Sequence, residues 1–267
     1  MKVGYYTILI LFVFVSLLGC KKTEELIDFT EEDEVLLGEK LSEAILEDES
    51  FGVIPSEGNS IAYGYANSRL NEITSSSAIS KSEEFNWTIT LFDDETRQAF
   101  ALPGGYIYVS TGMIFYLANE DQFSGLLAHL VAHVDQSHIT ERLFFKYGVN
   151  GLKSIATSGD AEKLNQIIAD LDLRGTYIEF SRANELAADT LSVSLLAGSD
   201  QACSAWGVCM DRALNVQPEL ISVFNGAHRL DTNRLEPIDE VAGSLGCDTT
   251  IDDESDNRFI SFRNSLP

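Results

Sequence analysis

The chemistry-bearing residues of this 267-residue chain begin with two histidines, His129 and His133, in the stretch FSGLLAHLVAHVDQSH. Four residues apart on a helix, their imidazoles lie on one face, about 40° apart, where they can share a metal ion. Metal-assisted hydrolysis also needs a proton acceptor, which the zinc motif H-E-x-x-H supplies as the residue after the first His. Here that residue is Leu130. A leucine can neither take a proton from water nor hand one to a leaving amine, and general acid–base catalysis ordinarily supplies about 10² to 10⁴ in rate. The pattern suits zinc and lacks its base.

A metal needs a third ligand. His138 follows His129 by nine residues, which on one continuous helix turns it about 180° away and excludes it. Glu185 and Asp189 in SRANELAADTL are again four apart, so Glu185 can reach a metal while Asp189 accepts a proton from a ligand imidazole. Spacing alone leaves other readings open: the histidines as ordinary polar residues, and the two carboxylates as a solvated acidic stripe beside Arg182. Glu120 and Asp121 lie more than two turns up the helix. Asp135 is about 120° round from His133. None of the three replaces the missing base.

The elements that must position these groups follow from periodicity. Thr30 with Asp33 fits an N-cap with its acidic partner, and Leu36, Leu37, Leu41, Ala44 and Ile45 continue at helical spacing, predicting a helix over 31–48. A second helix is expected over 61–73, with Tyr65, Leu70 and Ile73 inward, then a Ser-rich joint over 74–82. Phe85, Trp87, Ile89 and Leu91 alternate with polar residues as a half-buried strand does. AFALPGGYIYVSTGM reads as two extended runs broken at Pro103-Gly104-Gly105. Together they suggest a small antiparallel sheet with Tyr106–Ser110 as an edge strand. Helices follow over 113–118, 120–138, around Leu164, Ile167, Ile168 and Leu171, and over 177–197, 200–215 and 217–225. Residues 249–267 read as an acidic C-terminal tail.

The formal charge of −24 disfavours nucleic acid as a partner and favours proteins or cations, or simply solubility. Residues 1–20 have a short apolar core and end in LLGC before Lys21-Lys22, the pattern of a secretory signal, with residues 1–19 as the signal peptide. The ending resembles the lipobox of bacterial lipoproteins, which implies cleavage before Cys20 and its lipidation. An ordinary signal peptide or an anchor helix are the alternatives. Residues 20–30 then form a lipid-anchored acidic tether to a domain over 31–248, with its core at 85–234. Of the remaining cysteines, Cys203 and Cys209 are about 9 Å apart along a helix and 240° around it, so they do not bridge each other there. One of them pairing with Cys247, or all three reduced, remain open.

The segments 97–138 and 177–234 resemble zinc endopeptidases of the HtpX and BepA type, metallopeptidase family 48, which also includes the CAAX prenyl protease. The resemblance rests on AFALPGGYIYVSTGMI, on NEDQFSGLLAHLVAHVDQSH set against E-D-E-L-A…H-E-x-x-H-V…H, and on SRANELAAD set against S-R-x-x-E-x-x-A-D. His228 and Arg234 fit a late H-P-x-x-x-x-R element, with Arg229 in place of the Pro. All four histidines of the chain fall on family positions. The resemblance implies one zinc held by His129, His133 and Glu185, Asp189 behind them, and His228 as a gate or fourth ligand. It also implies a peptide-binding rim at Tyr106, Ile107, Tyr108, Val109 and Ser110, since an unpaired strand edge offers its main chain to an extended peptide.

The expected fold is therefore α+β, a mainly helical zincin-like domain with a small antiparallel sheet beside the active-site helix. The expected function is a membrane-anchored lipoprotein of the bacterial cell envelope, outer membrane favoured. It holds zinc, is hydrolytically impaired at Leu130, and binds unfolded or extended polypeptide or an envelope protein. A working zinc endopeptidase of envelope protein quality control and a metal-free interaction module are the alternatives.

Overall fold

The computed structural model describes residues 29–81, 83–170, 180–215, 228, 231–251 and 257–267. Cys20 with the signal and most of the tether, and the helix expected over 217–225, lie outside the described residues. Helix α1, Glu31–Glu47, opens with a capping box: Thr30 Oγ1 accepts from the Asp33 amide at 3.2 Å, and Asp33 Oδ2 accepts from the Thr30 amide at 2.9 Å. It buries Leu37, Leu41 and Ile45, and α2, Ser60–Thr74, buries Ala62, Ala66, Leu70 and Ile73.

Three strands follow: β1, Thr88–Phe92; β2, Ala99–Leu102; and β3, Tyr106–Ser110. Their order is β1-β3-β2, with β3 parallel to β1 and antiparallel to β2, so the sheet is mixed rather than antiparallel. Tyr106–Ser110 is consequently the central strand. Both of its sides are hydrogen-bonded, which corrects the expectation that Tyr106, Ile107, Tyr108, Val109 and Ser110 form an open peptide-binding edge. The turn explains the order. Gly104 (φ +78°) and Gly105 (φ +105°) take left-handed conformations that reverse the chain tightly after Pro103 and lay β3 against β2. The segment between β1 and β2 crosses the end of β3, where Ser110 Oγ donates to the Thr96 carbonyl at 2.6 Å and accepts from the Gln98 amide at 3.0 Å. That crossing leaves a strand-wide slot beside β1, which β3 fills.

The remainder is helical: α3, Thr111–Tyr116; α4, Glu120–Asp135; α5, His138–Tyr147; α6, Val149–Ser158; α7, Ala161–Asp170; α8, Arg182–Leu196; α9, Ala205–Asn215; α10, Leu235–Leu245; and α11, Asn257–Asn264. Helix α4 is the axis of the molecule. Every residue from Asp121 to Asp135 is buried, and α2, β2, α8 and α9 pack around it. It stops short of the expected residue 138 because Asp135 is bound elsewhere, accepting from the amides of Ser80 (2.9 Å) and Lys81 (2.8 Å). Ser137 then turns left-handed (φ +54°), a conformation costing a non-glycine residue about 1–2 kcal/mol. The chain restarts as α5 in a new direction.

Two further points were hidden from periodicity. Cys203 is disulfide-bonded to Cys247, leaving Cys209 as a buried thiol. The stretch 249–267 is not a tail throughout: α11 buries Phe259 and Phe262, and Phe262 stacks on Tyr65 with ring centroids 4.8 Å apart. Two aromatics three apart give this short helix an apolar side that the acidic composition before it conceals. Among the described residues no helix is long and apolar enough to cross a membrane.

The α4–α9 contact depends on Gly125, where a Cβ would stand 2.5 Å from the Trp206 amide nitrogen and 2.7 Å from the Ala205 carbonyl carbon. Gly125→Val should therefore destabilise the protein by about 1–3 kcal/mol through overpacking against backbone. Urea denaturation of the full chain checks this, and an unchanged midpoint would show that the two helices are not held this closely.

Candidate metal centre

Helix α4 starts at Asn119, whose side chain accepts from the Gln122 amide at 3.0 Å, and carries His129 and His133 about three and four turns further along on one face. Helix α8 starts at Ser181, whose hydroxyl accepts from the Asn184 amide at 3.1 Å, and brings Glu185 and Asp189 against that face. His228 completes the group. Nε2 of His129 lies 3.2 Å from Nε2 of His133, 3.1 Å from Nδ1 of His228 and 3.5 Å from Oε2 of Glu185. Glu185 Oε2 is 3.7 Å from His133 Nε2, and its Oε1 is 3.2 Å from His228 Nδ1.

These four residues each offer one atom to a common point, all within 4.8 Å of one another. Ligand atoms about 2.0–2.2 Å from a tetrahedral ion stand roughly 3.3–3.6 Å apart, and the separations from His129 Nε2, 3.1, 3.2 and 3.5 Å, are close to those edges. The hydrogen-bond inventory agrees. Both carboxylate oxygens of Glu185 are buried without an aligned hydrogen bond, although Arg234 Nη2 makes an ion contact with Oε2 at 2.7 Å. A buried carboxylate left so is costly unless something else takes its lone pairs. The residues fit a divalent cation.

Behind the ligands sits Asp189, fully buried. Its Oδ1 accepts from Trp206 Nε1 at 2.9 Å and from Arg234 Nη2 at 2.7 Å, its Oδ2 accepts from Arg234 Nε at 2.8 Å, and Nδ1 of His129 lies 3.2 Å from Oδ1. The Trp206 ring stacks on His129 at 4.3 Å, and Phe180 covers His133 at 3.9 Å. His138, which the continuous-helix reading sent away from the site, returns because of the break at Ser137. Its Nδ1 is 3.2 Å from Nδ1 of His133. It does not join the ligand group itself.

Charge follows from these contacts. Burial would raise the pKa of Glu185, but its close contacts with His228, His129 and His133 outweigh it and hold the carboxyl well below its ordinary range. Asp189 is likewise lowered, burial being outweighed by Arg234 and His129. Burial would lower His129, yet Asp189 and Glu185 raise it. Burial dominates in His133, which falls well below its usual value, in His228, which is lowered, and in His138, pushed down to about 4.

The structure thus brings together His129, His133, Glu185, Asp189 and His228, and keeps Tyr106–Ser110 inside the sheet. Leu130 is buried at 1% exposure, and among the described residues Glu185 is the one carboxylate in the ligand group. Trp206, Phe180 and the outer role of His138 escaped the sequence. The tryptophan and phenylalanine sit far along the chain with no spacing rule tying them to the histidines. A signal for His138 existed in the Asp135-Gln136-Ser137 stretch, a poor place to continue a helix.

Comparison with known proteins follows the same lines. The pattern of Peptidase family M48 matches residues 63–242. The mitochondrial metalloendopeptidase OMA1 of Schizosaccharomyces pombe is 30% identical over 126 residues, 47% of this chain and 36% of that protein. The beta-barrel assembly-enhancing protease of Escherichia coli is 26% identical over 118 residues, 41% of this chain and 24% of that one, and a putative counterpart in Vibrio cholerae is 24% identical over 120 residues, 42% and 25%. The chain spans well under half the length of these relatives.

Arg234, 1% exposed, is paired with both Asp189 and Glu185. Arg234→Met should cost about 3–5 kcal/mol in the metal-free full chain, because it strands buried carboxylates. Since the fold lowers the pKa of Asp189, the stability it contributes is present above the unfolded value of about 3.9 and lost as pH falls through the lower folded value. Urea titrations across pH should show the gap between the two proteins narrowing below about pH 4.

Proposed function

This chain belongs to peptidase family M48, and from that membership we propose that it is a zinc-binding, hydrolytically impaired relative of those endopeptidases. On this reading it is a lipoprotein anchored through Cys20 in the bacterial cell envelope, outer membrane favoured, that holds extended polypeptide without cutting it. The observation that carries the reading is the pairing of a complete ligand set with Leu130 in the base position. His129, His133, Glu185 and His228 converge as zinc ligands would, while the residue after the first histidine is buried and apolar.

When bound, zinc would polarise a carbonyl and lower the pKa of a water. This chain's residues set what can follow. His129 and His133 are oriented from behind by Asp189 and by the packing of Trp206 and Phe180. His228 takes the position that catalytic zinc sites leave open, and four protein donors are the mark of a closed, structural site. Among the described residues no second carboxylate joins the ligand group to move a proton. The site is built to bind and is doubly unsuited to turnover.

With β3 paired on both sides, the binding role passes to β2, Ala99–Leu102, the sheet edge beside α4. Its outer side has no strand partner among the described residues and can accept an extended polypeptide by main-chain pairing. The names of the relatives, all endopeptidases or proteases, favour a second reading in which the chain cuts peptides with a base drawn from elsewhere.

Metal analysis and a casein digestion assay on the purified full chain separate these readings. The expectation is about one zinc per chain and no chelator-sensitive cleavage by the wild type. Activity should appear only when Leu130→Glu is combined with His228→Ala. Chelator-sensitive cleavage by the wild type at the rate of the double variant would establish the endopeptidase. Absence of zinc after incubation with the ion would leave only a metal-free interaction module. For the anchor, Cys20→Ala should move the protein from the membrane fraction to the soluble fraction, and unchanged membrane retention would count against lipidation.

A further inference from the structure

We propose that His138 is the positioning residue of the metal ligand His133: it accepts the Nδ1–H of that imidazole and so keeps Nε2 free for the metal. The inference rests on the metal-binding reading above, and the geometry decides it by elimination. Nδ1 of His138 and Nδ1 of His133 are 3.2 Å apart, both rings buried, so one nitrogen holds the proton and the other the lone pair. His133 turns its Nε2 toward His129 and Glu185, so that nitrogen must carry a lone pair to be a ligand. Its proton then sits on Nδ1, and His138 must accept there, with its own proton on Nε2.

The two helix ligands are therefore supported by different chemistry. His129 has the carboxylate of Asp189 behind it, and His133 has a neutral imidazole. A carboxylate partner raises the donor strength of its ligand more than a neutral one does. The neutral choice suits a pocket that already contains Asp189 and Glu185 against the single guanidinium of Arg234. It is reinforced by position, because His138 is the first residue of α5, where the positive end of the helix disfavours an imidazolium.

The backbone is shaped for this contact. Ser137 is the one non-glycine residue with positive φ among the described residues, and without that turn His138 would continue round α4 and face away. Lys81 Nζ donates to Ser137 Oγ and to Glu34 Oε2, the latter at 3.2 Å, while the Lys81 amide donates to Asp135 at 2.8 Å. The left-handed residue is thus gripped from both sides by one lysine that touches no ligand.

Zinc affinity of the full chain, measured by competition with a chromophoric chelator, tests the assignment. His138→Phe keeps the ring and removes the acceptor, so its zinc affinity should fall by about 10- to 100-fold. His138→Asn places Oδ1 where Nδ1 stood, so it should restore binding to within about threefold of wild type. With only four histidines in the chain, 15N-histidine NMR of the zinc-loaded wild type should show His133 protonated on Nδ1, a readout that needs no variant to fold. Undiminished zinc binding by a folded His138→Phe, or His133 protonated on Nε2, would overturn the proposal. Failure of the wild type to bind zinc at all would instead overturn the metal reading, and with it the assignment of His138.

Discussion

The buried carboxylate of Asp189 is the interaction on which the rest of this structure depends. Removing a carboxylate from water is expensive, and the fold meets the cost with two donors, Arg234 from the turn before α10 and Trp206 from α9, and with the close approach of His129 Nδ1 from α4 at 3.2 Å. Because each comes from a separate element, satisfying one side chain locks three helices to α8. The same arrangement leaves the ring of Trp206 lying flat on His129. The candidate metal centre and the centre of the fold are therefore the same set of atoms, and this explains how the ligand geometry can persist in a chain with leucine at position 130.

The parts that hold a cation are built from buried ion pairs and ring stacking that also stabilise the domain, so they are protected by the demands of folding. The glutamate of H-E-x-x-H has no such second duty. Its place on α4 is within a helix buried on every side, and a leucine there joins the apolar core. His228 meets both His129 and Glu185.

The α4–α5 break shows how a local rule can be right and its conclusion wrong. Helical spacing correctly sets His129 and His133 together, and extended by one more turn it sends His138 away. Asp135 ends the helix because Ser80 and Lys81, some fifty-five positions earlier, offer it two amides. No periodicity within the helix carries that information. The sheet carries the same lesson. Alternation at Ile89 and Leu91 and the Pro-Gly-Gly turn are legible, yet strand order depends on where the crossing segment is tied down, and Ser110 and Thr111 do that through contacts with residues 94–98.

Local chemistry written along the chain was enough to determine the helix pairs at 129/133 and 185/189, the cap at Thr30, and the absence of a base at position 130, because each depends on residue types a few positions apart. Only tertiary structure decided that Tyr106–Ser110 lies inside the sheet, that Cys203 rather than Cys209 takes Cys247, that 257–264 is a packed helix, and that His138 backs His133. Each of these is a choice among distant partners that are equally acceptable locally. The choice falls to whichever arrangement leaves the fewest buried polar groups and the least apolar surface unpaired across the whole molecule.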